Sequence, residues 1–107
     1  MDSSNIPDIR EDQAKALASA ARMKILHWLK TPELNFADQV TGDPASIGVC
    51  VTLITGKLGM SQPTVSRHLE LLKRADFLTV QRIGKWSYYQ RNETKLNEYW
   101  GWLSDTL

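Results

Sequence analysis

Apolar residues recur along this chain at two different periods, and the changes of period mark its elements. From Ile9 to Ala18 the stretch IREDQAKALA is rich in helix formers and carries its acidic residues in the first turn. Ser19 stands where a cap is needed for a second helix over 20–30, in which Ile25, Leu26 and Leu29 share one face. Thr31-Pro32 ends that helix. Residues 31–48 (TPELNFADQVTGDPASIG) are crowded with Pro, Gly and Asp and predict a partly ordered loop, pinned by Phe36 and Val40. Residues 49–59 (VCVTLITGKLG) fit two patterns: their β-branched residues favour a strand, while Val51, Ile54 and Leu58 fit one helical face. The context favours a helix. Gly59 suits a helix C-terminus, Ser61 is a good cap, Pro63 is tolerated in a first turn, and VSRHLELLKRA is strongly helical. Two helices joined by so tight a turn predict a helix-turn-helix.

Beyond residue 76 the period shortens. In FLTVQRIGKWSYYQR (77–91) Leu78 and Val80 face one way and Thr79 and Gln81 the other. After a break at Gly84, Trp86 and Tyr88 share a face opposite Ser87 and Tyr89, so Arg82-Ile83-Gly84-Lys85 becomes a basic hairpin tip. The last segment returns to the helical period, with Leu96, Tyr99, Trp100, Leu103 and Leu107 on one stripe. The expectation is a mainly α fold with a small β-hairpin: five helical segments and one hairpin, arranged as a winged helix-turn-helix. One domain spans 1–107, with a flexible 1–8, a motif turn and recognition helix at 58–74, a wing at 77–91 and a terminal helix at 92–107.

Composition narrows the class. A chain of 107 residues, 42% of them apolar, supports one modest core. The polar, acidic start MDSSNIPDIREDQ lacks the pattern of a signal peptide, and no apolar run reaches the ~20 residues of a membrane span. A cytoplasmic protein without a membrane partner is expected. The single Cys excludes an intramolecular disulfide and a multi-Cys zinc module. A net charge of +1 argues against strong nucleic-acid binding until its distribution is read. Between residues 48 and 91 stand Lys57, Arg67, Lys73, Arg74, Arg82, Lys85 and Arg91 against only Glu70 and Asp76, whereas both flanks are net acidic. A basic middle between acidic ends suits a phosphate-facing segment.

Projecting residues 62–74 at about 100° each puts Val65, Leu69 and Leu72 on the buried side and Arg67, Glu70 and Arg74 opposite. Gln62, Thr64, Ser66 and Arg67 then face outward near the N-terminus, the part of a recognition helix that reaches base edges. Arg forks onto guanine, Gln onto adenine, and hydroxyls bond either base type or phosphate. Arg82 and Lys85 at the hairpin tip and Arg74 at the helix end complete a candidate DNA surface. Double-stranded DNA is therefore the expected partner; a winged-helix protein-interaction module is the alternative, and the basic charge of the motif and wing weighs against it. No Gly-rich phosphate loop, nucleophile–base pair or paired carboxylates suggest an enzyme.

The stretch LGMSQPTVSRHLELLKRADFLTVQRIGKWSYYQ (58–90) resembles the winged helix-turn-helix of the ArsR family of bacterial transcriptional repressors, and SQPTVSRHL is its most specific part. LASAARMKILHWL (17–29) resembles the family's second helix, although Ser19-Ala20-Ala21-Arg22 stands where an Asp-Pro-Thr-Arg run is usual. The resemblance implies a homodimer built from the first and last helices, a two-fold symmetric operator, and release of DNA on inducer binding or oxidation; the inducer itself is not legible. The family's Cys-Val-Cys metal box falls on Cys50-Val51-Thr52, with one thiol missing, and the last helix has no His. No metal and no cofactor are expected. Cys50 is a buried small hydrophobe or a redox-sensitive thiol. His27 and His68 lack ligand partners and are expected to be structural. The stripe of Leu96, Tyr99, Trp100 and Leu103 could be core, an apolar ligand pocket or, most simply, a dimerisation surface.

Overall fold

The structure, a computed structural model, describes residues 8–107. Most of the expected tail lies outside the described residues, and its last residue, Asp8, already opens helix α1 (Asp8–Leu17). Helix α2 (Ala20–Lys30) is capped by Ser19, whose Oγ accepts the Arg22 amide at 3.3 Å, and it buries Ile25, Leu26 and Leu29.

The excursion at 31–48 is more ordered than a loop. It holds two single-turn helices, α3 (Pro32–Asn35) and α4 (Pro44–Ile47), each with Pro in its first turn, where a missing N–H costs nothing. Phe36 enters the core as expected, but Val40 is 94% exposed and anchors nothing. The true pin is polar. Gln39 donates through Nε2 to the carbonyls of Gly42 and Gly48, both at 3.0 Å, and its Oε1 accepts the Cys50 amide at 2.9 Å. One amide side chain thus satisfies backbone groups that a covered loop would otherwise leave orphaned.

Both patterns read in 49–59 are present in succession. Val49–Cys50 form β1, and Val51–Leu58 form α5. Gly48, at φ +95°, hands the chain to β1 so closely that an added Cβ would lie 2.8 Å from the Tyr89 carbonyl oxygen. Gly59 ends α5 in the left-handed conformation, its amide bonded to Thr55 O at 3.0 Å. Helix α6 (Gln62–Arg74) follows from the Ser61 cap and fully buries Val65, Leu69 and Leu72. Strands β2 (Leu78–Ile83) and β3 (Trp86–Arg91) pair antiparallel from Leu78 opposite Arg91 to Ile83 opposite Trp86. β1 adds to β3, so the sheet has three strands in the order β1-β3-β2, where the sequence suggested a hairpin alone. A two-residue strand is too short to show alternation. Helix α7 (Glu93–Thr106) is capped by Asn92, whose Oδ1 accepts the Lys95 amide at 3.2 Å.

The sheet is packed on both faces toward its base, while four of the six β2 residues are exposed. Leu78 is buried in the core with Val80 half-buried on the same face, and Phe77, counted with the wing by its position, is fully buried there against Tyr99 at 5.4 Å. The opposite face lies on the excursion: Tyr88 Oη donates to Thr41 Oγ1 at 2.9 Å, Gln81 Nε2 to the Ile47 carbonyl at 2.8 Å, and Gln90 Nε2 to the Ala45 carbonyl at 3.1 Å. The excursion therefore braces the wing. No helix among the described residues is long and apolar enough to cross a membrane.

Candidate nucleic-acid interface

Helix α6 presents the residues the sequence singled out. Gln62, Thr64, Ser66, Arg67 and Arg74 are all exposed, while the Val65, Leu69 and Leu72 ridge fastens the helix to the core. Gln62, Ser66 and Arg67 side chains make no hydrogen bond or ion pair among the described residues. The Thr64 hydroxyl is engaged, 2.9 Å from Ser61 Oγ at the cap, which leaves chiefly its methyl for a base.

A second attachment of α6 went unread in the sequence. Arg22 Nη1 donates to His68 Nδ1 at 3.0 Å, which requires the neutral ring. The same guanidinium donates to the Ala16 carbonyl at 2.8 Å and the Lys15 carbonyl at 3.1 Å, satisfying the end of α1. One side chain joins α1, α2 and α6. Burial, and then the Arg22 charge, hold the His68 pKa below its ordinary 6.5. His68 is thus structural, as expected, whereas His27 is exposed.

Arg82 and Lys85 are exposed at the hairpin tip, beside the partly covered base of the wing. There Tyr89 is half-buried, and burial, followed by the nearby Glu70 carboxylate, raises its pKa above 10.0. On α5 the ammonium of Lys57 sits 5.2 Å from the Trp28 ring and 5.7 Å from the Phe36 ring. It entered the sequence reading only as one charge in a basic segment; aromatic rings more than twenty positions away give no local signal.

The terminal helix divides the four residues expected at a dimer surface. Leu96 (1% exposed) and Tyr99 (4%) lie in the protomer's own core, because α7 packs back on Phe77, and so they offer no surface to a partner. Trp100 remains 47% exposed, and Leu103 is only partly covered. Cys50 is buried, its Sγ 3.2 Å from Thr52 Oγ1. Among the described residues no three His, Cys, Asp or Glu side chains gather as a metal site. A cavity of about 330 Å³ opens beside the root of β3, but Arg91 in its wall is already held by Glu93 at 2.8 and 3.0 Å and by the Leu26 carbonyl at 3.1 Å.

Comparison with known proteins agrees with this geometry. Residues 49–80, spanning β1, the whole helix-turn-helix and the start of β2, match the family described as bacterial regulatory protein, arsR family. The HTH-type transcriptional regulator YbzH of Bacillus subtilis is 45% identical over 93 residues, covering 87% of this chain and 89% of the relative. The transcriptional repressor SdpR of the same organism is 32% identical, covering 83% and 82%. Among solved structures, an ArsR family transcriptional regulator superposes with a TM-score of 0.72 at 15% identity, covering 92% of this chain and 87% of its own. A homodimeric winged helix-turn-helix DNA-binding domain from Mycobacterium bovis gives 0.66 at 24%, covering 96% and 84%. These relatives are transcriptional regulators, so the protein-interaction module finds no support. The chain belongs to the arsR family of winged helix-turn-helix, DNA-binding transcriptional regulators.

Proposed function

We propose that this protein is a cytoplasmic repressor that binds a two-fold symmetric operator as a homodimer. Helix α6 lies in the major groove, where Gln62, Ser66 and Arg67, with the Thr64 methyl, meet base edges. Arg74, Arg82 and Lys85 bind phosphates, and Lys57, held by its aromatic neighbours, joins them. The observation that carries this reading is the contrast along α6: an outward polar row in which Gln62, Ser66 and Arg67 side chains make no bond among the described residues, on a helix whose inward ridge is completely buried. Such a helix is rigid where it must be positioned and free where it must read. Two of the similar proteins are named as a repressor and as a homodimer, which supports repression and dimerisation here. The partner copy covers Trp100 and Leu103 on α7.

Selection of duplexes from a random-sequence pool, followed by anisotropy titration, tests the proposal. An inverted repeat with half-sites about one helical turn apart is expected. Recovery of no preferred sequence would remove the operator from the reading. Cys50 is not a metal sensor in this proposal, since one thiol and a threonine hydroxyl make a poor soft-metal site. Arsenite, cadmium and zinc leave operator binding unchanged, and if peroxide releases the DNA from wild type but not from Cys50→Ser, the thiol is the signal's target.

A further inference from the structure

We propose that Ile83 and Trp86 form an apolar wedge at the tip of the wing, which packs into the DNA minor groove and makes the wing selective for a deformable base step. The proposal rests on the DNA-binding reading above and adds a specificity element to it.

Ile83 and Trp86 are opposite each other as the last pair of the β2–β3 ladder, so their side chains stand side by side on one face. They are 44% and 47% exposed. Of the preceding pair on that face, Tyr88 is buried and bonds the Thr41 hydroxyl, while Gln81, itself exposed, is tied to the Ile47 carbonyl. Burial on this face of β3 ends at Tyr88, one pair short of the tip. At the other end of the ladder, Leu78 and Arg91 adjoin α7. Five residue rises, about 17 Å, separate the tip from the end of the hairpin that adjoins α7.

What fits this surface follows from its charge. Residues 77–91 contain no Asp or Glu, and Arg82 and Lys85 flank the apolar pair. Apolar surface flanked by two cations, on the element next to an exposed recognition helix, matches a polyanion whose grooves carry apolar sugar edges and stacked bases. Minor-groove proteins insert Ile, Leu or Phe between base steps while cations hold the flanking phosphates. Pyrimidine–purine steps unstack most easily, so a wedge reads them as energy without hydrogen bonds. Arg82 and Lys85 then set how tightly the wing holds any DNA, and Ile83 with Trp86 sets which DNA it prefers.

The experiment uses the full chain and a duplex selected from a random pool by the wild-type protein. Trp86→Thr and Ile83→Thr place strand-favouring β-branched Thr at the two positions, and Trp86→Phe keeps an apolar ring. We expect Trp86→Thr to bind the selected duplex about tenfold more weakly and random duplex nearly as wild type does, with Trp86→Phe restoring most of the loss. The slope of log affinity against log salt stays that of wild type, because no charge is removed. Replacing the pyrimidine–purine step under the wing by a stiff step weakens wild type and leaves Trp86→Thr unaffected. Circular dichroism and random-duplex binding show whether each variant is folded, and Ile83→Thr repeats the test should Trp86→Thr fail to fold. Wild-type affinity in both Thr variants, equal loss on both DNAs, or a changed salt slope overturns the wedge. An unaffected Trp86→Thr beside a crippled Arg67→Ala overturns the wedge alone; if both are unaffected, the reading of α6 falls with it.

Discussion

Arg67 is exposed near the middle of α6 with no partner among the described residues, so its fork is available to a guanine edge. Arg67→Ala should weaken binding to the selected operator by about 1–3 kcal/mol with the fold intact, and its loss on random DNA should be smaller. Anisotropy on both duplexes checks this, and equal affinities for variant and wild type would remove Arg67 from base readout. His68 makes a prediction in pH. Its pKa is lowered in the folded protein, by burial and by Arg22, so the unfolded chain takes up a proton first as pH falls. The neutral-ring contact therefore contributes in full above about pH 6.5 and is lost as pH drops through the lower folded value. Thermal unfolding between pH 7.5 and 5.5 should show a steeper acid loss in wild type than in His68→Gln, whose amide oxygen still accepts from Arg22. His27→Gln, at an exposed site, is the control. Equal pH slopes in wild type and His68→Gln would show that the contact carries no linkage.

At the scale of elements, the wing is a hairpin braced at its base and free at its tip. The bracing comes from the excursion, through Gln81, Tyr88 and Gln90, while Gln39 ties the excursion to β1. Lys85 stands beyond this support, exposed and without a carboxylate on its own hairpin. Lys85→Ala should weaken specific and random duplexes nearly equally and lower the salt slope by about 1. A loss confined to the operator would mean that Lys85 itself reads bases. Cation and wedge make opposite predictions at neighbouring positions of one hairpin, so a single salt series separates them.

Across the whole molecule, α7 has two faces with different roles. Leu96 and Tyr99 belong to the core, and Trp100 and Leu103 face outward or partly so. Trp100→Glu places a charge where a two-fold interface is proposed, and it should give a folded monomer with weak operator affinity. Leu96→Ala instead removes a buried side chain, at a cost of about 2–5 kcal/mol to the fold. Sedimentation and urea unfolding of both variants separate the two faces. If Trp100→Glu sediments as an intact dimer, the interface lies elsewhere. In the proposed dimer, operator affinity should follow dimerisation, because two α6 helices would meet the two half-sites together.

Elements whose signal is local could be read along the chain. Helices α1, α2, α6 and α7 follow from periodicity and from caps at Ser19 and Ser61, and the hairpin from alternation broken at Gly84. The outward polar row on α6 was legible for the same reason: a helix buried along one ridge must expose the opposite one. Features that depend on distant partners emerge only once the chain is folded. Two residues, Val49 and Cys50, are a strand only because β3 lies beside them, and Gln39 is an anchor only because Gly42, Gly48 and Cys50 converge on it. Arg22 meets His68 across 46 positions of chain. The single apolar stripe of α7 could not reveal that Tyr99 faces Phe77 while Trp100 faces out, because periodicity tells which residues share a side but not how far the core extends around it. Polar ties and the edge of burial are properties of packing, and packing is set by contacts between segments that no window along the chain contains.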